Sequence, residues 1–287
     1  MKNKAKNIVI TGIVIGSFVF GVSSGLYKHF PFDILQSIKH YILPPELPPE
    51  QRSITLTSKY DIVTPIVNNN TGIYITYGQS NSTNHGQIGY EVESNVYMFY
   101  NNNTFIYRDP SLGGTGLDGS VWGMVGDKLI EQGVYDEVIF SNCGWGGKSI
   151  NELKKGEIFE YLTENYTQLI EKFGRVDGIL FHQGESDNVE NGDKYYYDSF
   201  VEFLENLESN KIQTKIYLSR VSYCGLRLKN DDLTSVQNKL IDDFSKVLEG
   251  PNTDLLTDRK YRLPDDCHFS MEGYDKFSDM WVESLIQ

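Results

Sequence analysis

Residues 72–82 read GIYITYGQSNS, a short apolar run that leads into a serine. Aromatic and β-branched residues dominate its first six positions, as is typical of a buried strand in a parallel sheet. Gly78 and Gln79 end the run, which places Ser80 in the turn after the strand. A serine there exposes its hydroxyl at the carboxyl edge of the sheet. Most such serines are turn residues or helix caps, so Ser80 is a candidate nucleophile only if a partner exists elsewhere.

Further apolar runs follow and alternate with stretches of helical period. The runs predicted to be strands are residues 138–141, 176–181, 215–220 and 254–257. The stretches predicted to be helices are residues 119–132, 150–173, 193–210, 232–248 and 271–286. Because parallel strands need crossover connections, the alternation predicts a three-layer α/β/α sandwich around a parallel sheet of about five strands. Residues 91–116 fit no regular element and are predicted to be a long loop. This loop either covers the site or has no role in it.

The bulk composition favours one acidic catalytic domain. The 287 residues carry a net charge of −13, which would repel a phosphate backbone, so nucleic acid is a poor candidate partner. Three cysteines, Cys143, Cys224 and Cys267, contain no C-x-x-C pair. We favour buried free thiols, which behave as small hydrophobic residues. One disulfide of undetermined pairing is the alternative in an oxidising compartment.

The N-terminus carries a hydrophobic segment behind a cluster of lysines. Lys2, Lys4 and Lys6 precede an uncharged run over residues 7–27, and about 20 such residues can cross a bilayer as a helix. The positive-inside tendency keeps the lysines in the cytoplasm and sends the following chain across. The length of the run favours an uncleaved transmembrane anchor over a signal peptide. We therefore expect residues 1–27 to hold an extracytoplasmic catalytic domain at the membrane, in the periplasm or at the cell surface, or to release it as a secreted protein if they are cleaved.

Residues 28–70 are predicted to be an amphipathic helix and a Pro-rich linker. Apolar residues recur at near-helical spacing between residues 30 and 43, and a group of prolines then stops any helix. A stalk on the membrane or on the domain and a plain linker are both compatible with this pattern. The catalytic domain is predicted to occupy residues 71–287.

A partner for the serine lies near the other end of the chain, in Asp265-Asp266-Cys267-His268. A D-x-x-H spacing lets a carboxylate reach the imidazole Nδ1–H, which turns Nε2 towards a nucleophile on another loop. This spacing favours Asp265 over the adjacent Asp266 as the orienting carboxylate. The same segment begins a helix that Ser270 would cap, and the two interpretations are compatible.

Two other loops offer hydrogen-bond donors. Residues 142–149 read NCGWGGKS, and residues 182–187 read HQGESD. Glycine lets its backbone N–H approach a substrate closely, and a glutamine side chain adds a further donor. Together with the N–H of Ser80, these donors could bind the oxyanion of an ester transition state. Taken alone, the glycines are explained equally well by ordinary turns.

Together, these segments resemble four ordered blocks of the SGNH hydrolase superfamily, and more narrowly its sialate O-acetylesterase and acetylxylan esterase (carbohydrate esterase family 6) branch. In chain order the blocks are Gly78-Gln79-Ser80-Asn81, Gly146-Gly147-Lys148-Ser149, His182-Gln183-Gly184-Glu185-Ser186-Asp187, and Asp265 to Phe269 with Gly273-Tyr274. The similarity covers roughly residues 72–287 and implies an SGNH-type, flavodoxin-like domain.

The resemblance also implies a role for each residue. Ser80 would be the nucleophile, His268 its base and Asp265 the orienting acid. The oxyanion hole would consist of the Ser80 and Gly147 N–H groups and the Gln183 side chain, which replaces the asparagine that is usual in the superfamily. Lys148 stands where a small residue is common, which leaves the shape of the acceptor site open. The alternative hole donor and the residues that support the site would be Gly146, Asn81, His182 and Glu185.

The function expected from this resemblance is the removal of O-acetyl groups from sugars or polysaccharides, including sialic acids. The partner would be an acetylated saccharide, and neither a metal nor another cofactor is required. One alternative is a glycan O-acetyltransferase, because water and a sugar hydroxyl compete for the same acyl-enzyme. The other is a non-catalytic glycan-binding protein, because fold does not fix function.

Overall fold

The computed structural model describes residues 60–225 and 227–286. The strands in this part are β1 (Ile62–Val63), β2 (Thr71–Gly78), β3 (Val96–Tyr100), β4 (Asn103–Ile106), β5 (Glu137–Asn142), β6 (Gly178–His182), β7 (Ile216–Arg220) and β8 (Val247–Asn252). The helices are α1 (Trp122–Glu131), α2 (Ile150–Leu153), α3 (Glu157–Phe173), α4 (Gly192–Ser209), α5 (Asp231–Asp243) and α6 (Met271–Leu285).

In the described residues the strands form one mostly parallel sheet of eight strands, in the order β1-β4-β3-β5-β2-β6-β7-β8. The central strand β2 is parallel to β5 on one side and to β6 on the other. Their carboxyl ends therefore meet at one edge of the sheet, which is where ligand sites form in open α/β sheets. This arrangement brings together the loops after β2, β5 and β6, which hold three of the four sequence blocks.

The two faces of the sheet bury separate hydrophobic cores, so helices cover both sides. Ile73, Ile75 and Tyr77 of β2 pack into the core that holds residues of α2, α3, α4 and α5. Tyr74 points the opposite way, into the core of α1 and α6 that contains Trp122 and Trp281. This alternation follows from the two-residue period of a strand. The α/β layering predicted from the sequence is confirmed.

The sheet is larger than predicted, and it is not purely parallel. Residues 91–116, predicted to be a long loop, contain β3 and β4, which pair antiparallel as a hairpin. Asn101 and Asn102 form its turn with φ values of 51° and 59°, the left-handed conformation that two-residue hairpin turns require. Residues 62–63, predicted to lie in the linker, pair antiparallel with β4 as the edge strand β1. The loop prediction was therefore wrong, because an asparagine-rich turn was not read as a hairpin.

Two other boundaries differ from the prediction. The strand expected at residues 254–257 is a 3₁₀ turn over Thr253–Leu255, and β8 precedes it, within residues partly predicted as helical. Gly250 and Pro251 are unusual in a strand, so the sequence pattern did not predict β8. Proline is tolerated here because β8 is the edge strand. The helix expected at residues 150–173 is split into α2 and α3 at Gly156, whose φ is 78°.

The predicted transmembrane anchor over residues 1–27 and most of the predicted linker lie outside the described residues. Within residues 60–225 and 227–286, none of the helices has the length and apolar character needed to cross a bilayer.

Candidate active site

Ser80 lies where β2 gives way to a 3₁₀ turn over Ser80–Ser82. Gly78, the last residue of β2, has a φ of 134°, and a Cβ there would lie 2.0 Å from the carbonyl oxygen of His182. Only glycine therefore fits between β2 and β6 at this point. The backbone N–H of Gln79 donates to the same carbonyl at 3.0 Å, which fixes the start of the turn. The nucleophile predicted from the sequence thus sits at the carboxyl edge of the sheet, only 6% exposed.

His268 and Asp265 form the hydrogen bond that the D-x-x-H spacing predicts. Imidazole Nδ1 lies 2.6 Å from Asp265 Oδ2, while Oδ1 accepts the backbone N–H groups of Cys267 at 3.0 Å and His268 at 3.1 Å. Desolvation alone would raise the pKa of Asp265, but these hydrogen bonds outweigh it and lower the pKa. The carboxylate therefore stays ionised at neutral pH and holds Nδ1 of His268 as a donor.

The loops of Ser80 and His268 are joined through their neighbours. The side-chain amide of Asn81 donates to the carbonyl of Cys267 at 3.3 Å, and the N–H of Gln87 donates to the carbonyl of Phe269 at 2.9 Å. Among the described residues, however, the Ser80 hydroxyl has no hydrogen-bond partner, so the expected bond to His268 is not formed here. Such bonds are often long in the unliganded state and tighten with substrate.

The loop after β5 distinguishes the two glycines proposed as oxyanion donors. The N–H of Gly146 donates to Oγ1 of Thr115 at 2.6 Å, so this donor is already occupied. The N–H of Gly147 has no acceptor within the described part of the chain, and no atom lies within 4 Å of the position of a Cβ there. The geometry therefore favours Gly147 over Gly146 as the oxyanion donor, in line with the resemblance described above.

Gln183 is buried, and its amide is bonded to other loops. The amide nitrogen donates to the carboxylate of Asp187, and it lies 3.3 Å both from Oε1 of Gln79 and from the carbonyl of Lys148. The Asp187 carboxylate also accepts the N–H of Ile150 at 2.8 Å, at the start of α2. Gln183 thus links the loops after β2, β5 and β6 to one another. Sequence reasoning assigned Asp187 no role of its own, because its bond to Ile150, 37 residues away, depends on the fold.

Beneath the turn of Ser80 lies a buried group of titratable side chains. Glu185 accepts a hydrogen bond from the Asn81 amide at 2.9 Å, and burial, offset in part by this bond, raises the pKa of Glu185 to about 7. Burial and the nearby Arg262 guanidinium lower the pKa of His182 to about 3, so the ring is neutral. Its Nε2 lies 3.1 Å from the hydroxyl of Thr253. The predicted support residues Asn81, His182 and Glu185 therefore lie within or beside the turn that carries Ser80.

Arg262 is the cation of this buried group, and sequence reasoning missed it. Its guanidinium donates to the carbonyls of Cys267 at 2.5 Å and Thr253 at 3.2 Å, and lies 3.9 Å from the ring centre of Phe269. Burial lowers its pKa to about 10, with Glu185 acting in the opposite direction. Because Cys267 and Phe269 flank His268, Arg262 holds the segment that carries the base. Nothing in the local sequence distinguishes it from a surface arginine.

Protonation of Glu185 should make the free energy of unfolding depend on pH. Its folded pKa of about 7 exceeds its ordinary value of 4.5, so the folded state binds more protons between these limits. Its stabilising contribution is complete below pH 4.5 and is lost as the pH rises through 7. Glu185→Gln should remove this dependence. The difference in free energy of unfolding between wild type and variant should therefore change by up to about 3 kcal/mol across that window. Urea unfolding of both proteins from pH 4.5 to 8 measures it, and two parallel curves would contradict the expectation.

The preference for free thiols was wrong for two of the three cysteines. Cys224 and Cys267 form a disulfide across 43 residues, while Cys143 is free and buried. The fold places the loop after β7 against the loop before α6, where Tyr223 donates its hydroxyl to Asp266 at 2.6 Å and the Gly225 N–H donates to the Asp266 carbonyl at 2.8 Å. Sequence spacing could not show this pairing. The disulfide fixes the residue next to His268.

Within the two described ranges, no three His, Cys, Asp or Glu side chains are grouped so that they could hold a metal ion. The carboxylates of the site have other partners instead. Asp265 is bonded to His268, Glu185 to Asn81 and Asp187 to Gln183. That the reaction needs no metal remains a prediction from the chemistry of the serine and histidine.

Comparison with known proteins gives the family. A family model described as carbohydrate esterase, sialic acid-specific acetylesterase, matches residues 70–287. No curated protein matches the chain. A solved Arabidopsis thaliana protein is similar with a TM-score of 0.61 and 15% identity, covering 76% of this chain and 98% of its own.

Two further solved structures share the fold. A putative GDSL-like lipase from Parabacteroides merdae has a TM-score of 0.51 and 15% identity, with 77% of this chain and 98% of that chain covered. NanS has a TM-score of 0.50 and 13% identity, with the same coverage. At these identities the structures speak for the fold alone, whereas the family model spans most of the sequence and all four blocks. The resemblance predicted from the sequence is confirmed: the chain belongs to the sialic acid-specific acetylesterase family of carbohydrate esterases.

Proposed function

We propose that this carbohydrate esterase removes acetyl groups from sugars, sialic acids among them, with Ser80 as nucleophile, His268 as general base and Asp265 as the orienting acid. The observation that carries the proposal is the 2.6 Å hydrogen bond between His268 and Asp265. Both residues lie in the loop before α6. In the same loop, the carbonyl of Cys267 accepts the side-chain amide of Asn81, the neighbour of Ser80, at 3.3 Å. Two remote chain segments, the turn after β2 and the loop before α6, would thereby supply an alcohol and an imidazole–carboxylate pair to one edge of the sheet.

The reaction would proceed in two steps. Nε2 of His268 takes the proton of Ser80 as its oxygen attacks the acetyl carbonyl, and the Asp265 carboxylate stabilises the resulting imidazolium. The ester C–O bond then breaks, and the sugar oxygen leaves with the proton from His268. Water, deprotonated by His268, next attacks the acetyl-serine, which releases acetate and restores the Ser80 hydroxyl.

The oxyanion would be held by donors from the loops after β2, β5 and β6, which meet at the same edge of the sheet. The N–H groups of Ser80 and Gly147 have no acceptor among the described residues, so both are available to an oxyanion. Gln183 is the third proposed donor. Its contacts with Gln79 and Lys148 are long at 3.3 Å, so the amide N–H that does not bond Asp187 is only weakly engaged and would be available to the substrate.

A serine-directed probe tests the proposal. A fluorophosphonate should label wild-type protein at Ser80, and acetate should be released from p-nitrophenyl acetate and from O-acetylated sialic acid or xylan. Acetyl transfer to a glycan without acetate release would favour the acetyltransferase. Absence of labelling, with no turnover of any acetylated sugar, would favour a non-catalytic glycan-binding protein and overturn the proposal.

We also propose that the catalytic domain acts outside the cytoplasm, anchored by residues 1–27. The disulfide between Cys224 and Cys267 supports an oxidising compartment, because such bonds rarely persist in the cytosol. The lysines and the apolar run at the N-terminus support export and anchoring. Fractionation of cells that express the full chain tests this: we expect it in the membrane fraction and accessible to external protease after removal of any outer barrier. A soluble cytoplasmic protein with reduced cysteines would contradict it.

A further inference from the structure

His85 connects the two halves of the proposed catalytic site. Its imidazole stacks on the ring of His268, with ring centroids 5.6 Å apart and 23° between the ring planes. Nε2 of His85 lies 3.2 Å from Oγ1 of Thr115. The same oxygen accepts the N–H of Gly146 at 2.6 Å. A continuous set of contacts therefore runs from the general base to the residue that precedes Gly147.

Thr115 is a fixed point for these contacts. It is fully buried, and its N–H donates to the carbonyl of Gly144 at 3.1 Å. Its own carbonyl accepts the N–H of Asn84 at 3.1 Å and the hydroxyl of Thr83 at 3.0 Å. Thr115 thus holds both the loop after β2 and the loop after β5. A side chain that bonds the Thr115 hydroxyl is therefore held in a fixed position relative to both loops.

The packing around His85 leaves no room for other side chains. A Cβ at Gly146 would lie 2.7 Å from Nε2 of His85, and a Cβ at Gly116 would lie 2.9 Å from its Cδ2. Both distances are too short for real carbon contacts. The imidazole of His85 therefore occupies the space between the loop after β5 and His268, and Gly146 must be glycine for the ring to fit.

From these contacts we infer that His85 is a positioning residue of the esterase reaction. This inference rests on the proposed function, because it assigns His85 a role through His268 and Gly147. The stacked ring limits the orientations open to the imidazole of His268, whose side chain is 23% exposed. The bond to Thr115 fixes the position of His85 relative to the loop after β5. Since catalysis is sensitive to small displacements of reacting groups, loss of this connection should lower kcat more than it changes KM.

Kinetics of single and double variants test the inference. His85→Ala and Thr115→Val should each lower kcat for p-nitrophenyl acetate about 10-fold and leave KM within about twofold. The double variant should lose no more than the worse single variant, because the two side chains act as one unit. Thr115→Ser, which keeps the hydroxyl, should recover most of the activity. Thr167→Val, on the exposed surface of α3, is the matched control and should react as the wild type does.

A readout without turnover separates positioning from catalysis. In Thr115→Val, the imidazole ¹H–¹³C NMR signals of His268 should shift, because the His85 ring loses its anchor although neither histidine is replaced. Unmoved signals, or losses that multiply in the double variant, overturn the inference while fluorophosphonate labelling of wild-type Ser80 still supports the proposed function. Failure to label wild-type Ser80 overturns the proposed function, and with it the catalytic role of His85.

Discussion

Ser80→Ala is expected to lower kcat for p-nitrophenyl acetate by about 10⁴-fold or more, because the variant has no nucleophile and keeps only the oxyanion donors. Its fold should be unaffected. The hydroxyl of Ser80 has no hydrogen-bond partner in the described part of the chain, so its removal breaks no bond. Initial rates of nitrophenolate release measure the loss, and thermal unfolding checks that the variant is folded.

The neighbouring Ser82 provides a matched control in the same turn. Its hydroxyl is fully buried and donates to the carbonyl of Gln79 at 2.6 Å, so it cannot reach a substrate. Ser82→Ala should therefore cost about 1 kcal/mol of stability through the lost hydrogen bond but keep kcat within about threefold, since only the turn is affected. If turnover survives in Ser80→Ala and disappears in Ser82→Ala, the assignment of Ser80 as the nucleophile is wrong.

The strands that the sequence predicted well are those buried on both faces. β2, β5, β6 and β7 read as continuous apolar runs, because helices cover both sides of the sheet at these positions. The missed strands lie towards the edges, where the physical constraint is weaker. β8 tolerates Gly250 and Pro251, and the turn between β3 and β4 is built from asparagines.

The site divides in the same way between local and remote information. Asp265 and His268 could be predicted because three residues of spacing fix their geometry within one loop. The partners of Asn81 and the Cys224–Cys267 disulfide depend on loops brought together by the fold, up to 186 residues apart. No local pattern encodes such pairs. The commitment of the Gly146 N–H to Thr115 likewise became visible only in three dimensions.

The second large effect is expected for the orienting carboxylate. Asp265→Asn should lower kcat by about 10³-fold, because a neutral amide neither stabilises the imidazolium nor enforces the tautomer with a proton on Nδ1. The wild-type carboxylate accepts three hydrogen bonds from its own loop, two from backbone N–H groups and one from His268. An amide can keep the backbone bonds through its oxygen, so the loss should be catalytic and not structural. The pH–rate profile and the unfolding midpoint measure these two properties separately.

Asp266→Asn is the control that decides between the adjacent aspartates. The carboxylate of Asp266 accepts the hydroxyl of Tyr223 at 2.6 Å, away from the imidazole, and an amide oxygen can accept the same bond. Its φ of 58° is a conformation that asparagine adopts readily. The substitution should therefore leave kcat within about threefold of wild type, since surface changes of this kind cost little. A greater loss in Asp266→Asn than in Asp265→Asn would mean that the 2.6 Å bond to His268 is not the one that orients the base.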